Sequence, residues 1–312
     1  MNNVTVNDVG PRDGLQSQAR ILTADERIRL VNSLLGSGLR HIEVGAFVSP
    51  RVVPAMAGTG EVLSGLNGQA GASDTVLTVL VPNARGYELA VAAGAKSVCL
   101  VLYGTDSMAQ ANVGMSRQQA ESEAADILRQ ARADGVRVTA TVAVAFECPF
   151  DGPVSPSLVA DLAGRFLDLE ADELCIADTI GAANPRQVRS LMSALTERFG
   201  ANRLSCHFHD TRAMGLANVY AALESGIRKF DASIGGMGGC PFAPGASGNV
   251  ATEDVVMMLE HMGFATGINL ESLLAASQLA RDLTQTAPGG RAVPWLRRHL
   301  GLDQPGGVAK QQ

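Results

Sequence analysis

Short apolar runs alternate with longer stretches of helical period along the whole chain. The short runs, at residues 4–9, 41–44, 75–81, 97–102, 136–145, 173–177, 204–208 and 230–234, are rich in Val, Ile, Leu and Ala and are predicted as strands. The longer ones, clearest at 24–35, 117–132, 157–169, 185–199, 213–224 and 252–262, repeat their apolar positions at helical spacing. Punctuation agrees with this division. Thr23 and Glu26 stand at the spacing of a capping box, in which each side chain satisfies a backbone N–H of the other. Pro156 and Pro185 fall at helix starts, where a missing N–H costs least, and Gly36, Gly135, Gly200 and Gly226 fall just past helix ends.

Eight strands across 312 residues give about 39 residues per strand–helix unit, the repeat length of a (β/α)8 TIM barrel. A doubly wound open sheet shares the same alternation and is the structural alternative. No linker or internal repeat divides the chain, so residues 1–300 are expected to form a single barrel domain. Residues 270–284 then make an extra C-terminal helix, and 301–312 a flexible tail.

The polar residues favour the barrel. Arg12 and Asp13 follow the first strand, and Glu43 lies within the second. Asp178 follows the sixth, His207 and His209 end the seventh, and a glycine-rich loop through Cys240 to Asn249 follows the eighth. In a barrel all these positions converge on the C-terminal rim, where active sites are built; over an open sheet they would scatter.

The pair His207 and His209 is the most suggestive element. Residues two apart on a strand face the same side, so both imidazoles can reach one ion, with Phe208 turned toward the helices. Two hydrogen-bonded core histidines are the plainer reading. Asp13 at the neighbouring strand end, with the amide oxygen of Asn249, tilts the balance toward a cation. The mixed oxygen and nitrogen donors suit Mg²⁺ or Mn²⁺ better than tetrahedral zinc. Arg12 is either a surface partner of Asp13 or a fixed guanidinium that holds a carbonyl oxygen as charge develops on it. Glu43 is costly in an apolar strand unless partnered, by Arg12 for example, and Asp178 and Asn249 can each cap a following helix. The glycines on both sides of Met237 lack the spacing and lysine of a phosphate loop. They permit instead a mobile lid carrying Cys240, whose alternative is an inert buried thiol.

Composition narrows the function classes. A net charge of −6 leaves no electrostatic footprint for nucleic acid. Five scattered cysteines without a CxxC pair suit reduced thiols rather than a disulfide framework. No apolar run approaches a membrane span, and Met1-Asn2-Asn3 runs straight into the first strand, so a cytoplasmic location is expected.

The segments Gly10-Pro11-Arg12-Asp13-Gly14-Leu15-Gln16, Glu43 with Phe47-Val48-Ser49-Pro50, Asp178-Thr179-Ile180-Gly181, His207-Phe208-His209-Asp210 and Gly238-Gly239-Cys240-Pro241-Phe242-Ala243 stand in one order. With Gly245-Ala246-Ser247-Gly248-Asn249 they resemble the 3-hydroxy-3-methylglutaryl-CoA lyase family from about Val4 to about Leu270. That resemblance implies a metal-dependent TIM-barrel lyase acting on an acyl-CoA, and a homodimer or higher homo-oligomer. It implies that Asp13, His207, His209 and Asn249 hold the cation and that Arg12 stabilises an enolate oxygen. Cys240 is then the mobile acid/base thiol, and either it or a metal-adjacent histidine such as His207 protonates the released carbanion. Glu43 and Asp178 order Arg12 and handle protons, while Glu253 supports the ligands. The implied chemistry is a retro-Claisen cleavage. A cation that lowers the pKa of the 3-hydroxyl by roughly five units contributes about 7 kcal/mol toward its deprotonation.

Several positions depart from the family's pattern. Gly45 and Ala46 stand where a Thr-Ser pair is usual, Thr139 and Ala143 replace an Arg and a Ser, and Cys175-Ile176-Ala177 replaces Ser-Leu-Gly. Tyr103-Gly104-Thr105-Asp106 is also atypical, although Asn112 is retained. These positions are expected around the acyl group, so the 3-substituent is the open variable, with an isohexenyl group as one alternative to methyl. A condensing enzyme for a 2-keto acid and a non-catalytic CoA-binding barrel are the remaining readings. Arg20 and Arg51 are the nearest basic candidates for the CoA nucleotide.

Overall fold

A computed structural model describes residues 3–67, 75–239, 248–286 and 289–303. In chain order it contains β1 (Thr5–Asp8), α1 (Ala24–Gly36), β2 (His41–Ala46), α2 (Thr59–Asn67), β3 (Val76–Leu80), α3 (Ala84–Ala92), β4 (Ser97–Tyr103), α4 (Asp106–Val113), α5 (Arg117–Asp134) and β5 (Arg137–Ala143). A short hairpin, β6 (Glu147–Cys148) and β7 (Gly152–Pro153), precedes α6 (Pro156–Asp168), β8 (Glu173–Asp178), α7 (Pro185–Phe199), β9 (Leu204–Phe208), α8 (Gly215–Glu224) and β10 (Lys229–Ala232). Three helices follow: α9 (Thr252–His261), α10 (Leu270–Thr284) and α11 (Val293–His299).

Eight of the strands close into a barrel in the order β1-β10-β9-β8-β5-β4-β3-β2. Closure runs through a parallel register of Thr5 against Lys229 and Asp8 against Ala232. The chain is therefore a TIM barrel, and the open sheet is excluded. Every barrel strand anticipated from the sequence is present, within a residue or two at its ends.

The strands divide their side chains by chemistry. Val6, Ile42, Val44, Val138, Leu174 and Ile176 are buried in the apolar layer beneath the helices. Asn7, Thr78, Cys99, Thr139, Thr141 and Ser205 face the other way and line a cavity of about 1040 Å³ that runs from the barrel interior out over the rim to α4 and α5. Barrel interiors are usually filled by layers of bulky branched residues. Small polar residues here leave the axis open, from the C-terminal rim down to Arg137, Glu173 and Lys229 at the strand starts.

Local signals explain most element ends. Thr23 and Glu26 form the anticipated capping box, and Pro156 and Pro185 occupy first-turn positions of α6 and α7. Gly135 ends α5 in the left-handed conformation. Gly36 does not play that part: it is the last residue of α1, and Gly38, at φ +98°, makes the turn instead. The short helices α2, α3, α4 and α11 and the β6–β7 hairpin escaped the sequence reading, because helices of seven to nine residues show too few helical periods. Of the expected flexible tail, residues 304–312 lie outside the described residues. Among the described residues no helix is long and apolar enough to cross a membrane.

Candidate active site

Residues Gly10–Gly14 form a single π-helical turn directly after β1. The backbone N–H groups of Arg12, Asp13 and Gly14 all donate to the Val9 carbonyl, at 3.1, 2.8 and 3.2 Å, which lifts the two charged side chains over the rim. Gly10 is required here, since a Cβ would meet Asp8 Oδ1 and Ile234 Cγ2 at 2.8 Å each. Asp8 anchors the turn from below. It accepts from Gly10 N at 2.8 Å and from Thr252 Oγ1 at 2.7 Å, and burial pushes its carboxyl up to about 7.

Arg12 bridges two carboxylates, donating to Asp13 Oδ1 and Glu43 Oε2 at 2.7 Å each. Burial opposes its charge, yet Glu43 and Asp13 hold the guanidinium firmly protonated. Burial also pushes Asp13 upward, but Arg12 and the two imidazoles keep it well below the usual carboxylate range. Glu43 is raised by burial, with Arg12 offsetting part of the rise; its Oε1 is buried with no hydrogen-bond partner among the described residues.

His207 lies on β9 and His209 just past it, their ring centroids 5.1 Å apart. An isolated bridge between His209 and Asn249 draws the end of the β10–α9 loop against the same rim. One ligand atom each from Asp13, His207 and His209 lies within 4.8 Å of the others, a group that could hold a metal ion. Asn249 Nδ2 donates to Asp13 Oδ2 at 2.7 Å and to the Met237 carbonyl at 3.0 Å. That fixes the amide and leaves Oδ1 buried without a hydrogen-bond partner among the described residues, as is His209 Nδ1. Buried acceptors are seldom left unpaired, so an orphaned amide oxygen on a side chain bonded to Asp13 fits a cation.

Asp178 serves its own loop: Ala182 N and Ala183 N donate to its two oxygens at 2.8 and 3.1 Å. Burial raises its pKa, with those bonds and the imidazoles opposing. Glu253 is wholly buried and accepts from Gly235 N. Cys240 lies outside the described residues, whereas the other four cysteines are free and buried. Arg20 pairs with Glu26 and the Leu283 carbonyl. Among the atypical positions, Tyr103, Thr139, Ala143 and Ala177 line the cavity, as does the retained Asn112, whereas a side chain at Gly45 would face Arg27 and Thr59 instead.

Sequence reasoning missed Asp231. It is an acid between the apolar Phe230 and Ala232 of β10, a signal like the one that singled out Glu43, and its carboxylate meets His207 Nδ1 at 3.1 Å. Burial works against a charged imidazole there, but the hydrogen bond and charge of Asp231, then the charge of Asp13, raise the His207 pKa.

A TIM barrel with Asp, two His and an Arg clamped between acids on its C-terminal rim defines the class as a rim-site barrel with a candidate metal centre. The HMGL-like family model matches residues 3–280, and the chain belongs to that family. It is 43% identical to hydroxymethylglutaryl-CoA lyase of Pseudomonas mevalonii over 273 residues, 88% of this chain and 90% of that one. It is 42% identical to (R)-citramalyl-CoA lyase of Chloroflexus aurantiacus over 304 residues, 94% of this chain and 96% of the relative. The solved structure of hydroxymethylglutaryl-CoA lyase from Pseudomonas aeruginosa superposes with a TM-score of 0.91 at 37% identity, covering 96% of this chain and 98% of that one.

Proposed function

We propose that the protein is a divalent-cation-dependent carbon–carbon lyase. It cleaves the C2–C3 bond of 3-hydroxy-3-methylglutaryl-CoA, or a close 3-substituted analogue, to acetyl-CoA and acetoacetate or the matching 3-keto acid. The observation that carries this reading is the convergence of Asp13, His207 and His209 within 4.8 Å beside Arg12, in a chain of this family. Asp13, His207, His209 and Asn249 Oδ1 would hold Mg²⁺ or Mn²⁺, which when bound supplies Lewis acidity at the substrate's 3-hydroxyl.

The chain's own residues account for the rest. As the hydroxyl proton passes to Glu43 or Asp178, the acids that the resemblance assigns to proton handling, the C2–C3 electron pair passes into the thioester as an enolate, and C3 becomes a ketone. Arg12, its two terminal nitrogens held by Asp13 and Glu43, presents a fixed positive charge to that developing oxyanion without reorganising. Glu43 and Asp13 position the guanidinium. Asp178 holds the loop after β8 through its two backbone contacts. Cys240 returns a proton to C2 to release acetyl-CoA.

The test is to incubate the protein with Mg²⁺ and the methyl substrate and to assay acetoacetate with and without EDTA. Product that EDTA abolishes is the expected result; no product from any branched 3-hydroxyacyl-CoA overturns the proposal. His209→Ala should weaken Mn²⁺ binding in calorimetry. Cys240→Ser should keep that binding while lowering kcat by about 10²–10⁴-fold, and an unchanged kcat would demote the thiol to packing.

A second reading is supported by the citramalyl-CoA lyase relative, whose identity nearly equals that of the first and extends over more of the chain. (R)-Citramalyl-CoA carries the same tertiary 3-hydroxyl and loses the same acetyl-CoA, leaving pyruvate. Measuring pyruvate and acetoacetate from the two substrates in parallel separates the readings.

A further inference from the structure

We infer that Asp231 is the positioning residue of the candidate metal centre: it accepts a hydrogen bond from the Nδ1–H of His207 and so presents the lone pair of Nε2 to the cation. The inference rests on the metal reading proposed above but is carried by contacts of its own. Asp231 belongs to β10, while Asp13, His209 and Asn249 come from other segments. Its Oδ1 accepts from Asn7 Nδ2 at 2.8 Å, and its Oδ2 accepts from Cys175 Sγ at 3.7 Å and meets His207 Nδ1 at 3.1 Å.

Each of these partners is neutral or only conditionally charged, and none is a Lys or Arg. A carboxylate held inside a barrel in this way is costly, and it is stabilised only if every neighbour donates to it. Asn7 Nδ2 and the thiol can do nothing else toward an oxygen. A carboxylate in turn can only accept from the imidazole, which places the ring proton on Nδ1. With Nδ1 so occupied, Nε2 is the ring nitrogen His207 has left to offer a cation.

The two histidines are therefore held differently. His209 Nε2 lies 3.8 Å from Asp13 Oδ2, and its Nδ1 has no hydrogen-bond partner among the described residues. Only His207 has a carboxylate behind it, and a carboxylate behind a ligand imidazole fixes both tautomer and ring orientation.

The test uses the purified full chain, first free of metal. Long-range ¹H–¹⁵N NMR of the imidazoles at alkaline pH should show His207 as the Nδ1–H tautomer in the wild type. In Asp231→Asn the amide nitrogen can donate to Nδ1 and move the proton to Nε2. Titration with Mn²⁺ in a calorimeter should then show affinity weakened about 10- to 100-fold in Asp231→Asn. Asn7→Ser removes one support of the carboxylate but leaves its charge, and should keep the tautomer and lose less affinity than Asp231→Asn. An Nε2–H tautomer in the wild type overturns the inference whether or not the variant folds. So does a folded Asp231→Asn with unchanged tautomer and affinity. Wild type that shows the Nδ1–H tautomer yet binds no Mn²⁺ leaves Asp231 as the partner of His207 and instead overturns the metal reading.

Discussion

A side chain at Gly45 would collide with the largest fully buried side chain of the barrel wall. Arg27 reaches from α1 to donate to the Val44 and Ala57 carbonyls and to Thr59 Oγ1, at 3.0, 2.9 and 3.2 Å. These partners carry no charge, and burial pushes the guanidinium down to about 10. A Cβ on residue 45 would stand 2.5 Å from Arg27 Nη2 and 2.6 Å from Thr59 Oγ1. Overpacking of this kind costs about 1–3 kcal/mol. Gly45→Ala should therefore lower the free energy of urea unfolding by that amount while leaving Mn²⁺ affinity unchanged, since the contact lies on the helix side of β2; an unchanged unfolding free energy would refute the clash. The sequence presented Gly45 only as a lost hydroxyl near the acyl group. Its neighbour Glu43 was legible because an acid in an apolar strand demands a partner. Gly45 was not, since the bulge between Glu43 and Gly45 resets the alternation by which facing is read.

The elements were readable where period or punctuation was strong. The strand positions, the Thr23–Glu26 box and the extra helix α10 all follow from local pattern, and rim convergence followed once the barrel was assumed. What tied the rim loops together was not legible, because it depends on contacts across 244 residues of sequence. Asp8 at the end of β1 bonds Thr252 at the start of α9 and thereby links the turn bearing Arg12 and Asp13 to the segment bearing Asn249. Its consequence is a pH dependence. The ordinary value of 3.8 rises to about 7 in the fold, so the folded state holds the proton more tightly than the unfolded state. That contribution to stability is complete below about pH 4 and is lost as pH climbs through about 7, a shift worth roughly 4 kcal/mol. Asp8→Asn keeps an acceptor for Gly10 N, and the Thr252 hydroxyl can turn to accept. Urea unfolding across this window should show the wild type losing stability relative to Asp8→Asn as pH rises; parallel curves would refute the assignment.

At the scale of the whole molecule, the allocation of side chains between the two faces of the barrel determines what the site can accept. Most aliphatic residues of the strands go outward to the helices, and the axis is lined by Asn7, Thr78, Cys99, Thr139, Thr141 and Ser205 with a few apolar residues such as Val101. A cavity of about 1040 Å³ therefore continues beneath the Asp13, His207 and His209 group instead of ending there. If the 3-hydroxyl is held at that group and the thioester at Arg12, the remaining substituent on C3 has the barrel axis to enter. Thr139 lines that axis, where the family resemblance leads one to expect an arginine. Thr139→Leu adds volume there without touching the candidate ligands. Hydrophobic overfilling discriminates by about 1–3 kcal/mol, or roughly 10- to 200-fold. The variant should thus lose at least tenfold in kcat/KM for a 3-isohexenyl substrate, less than threefold for the 3-methyl substrate, and nothing in Mn²⁺ affinity. Equal losses on both substrates would mean that the substituent points out of the barrel and that the open axis has no part in specificity.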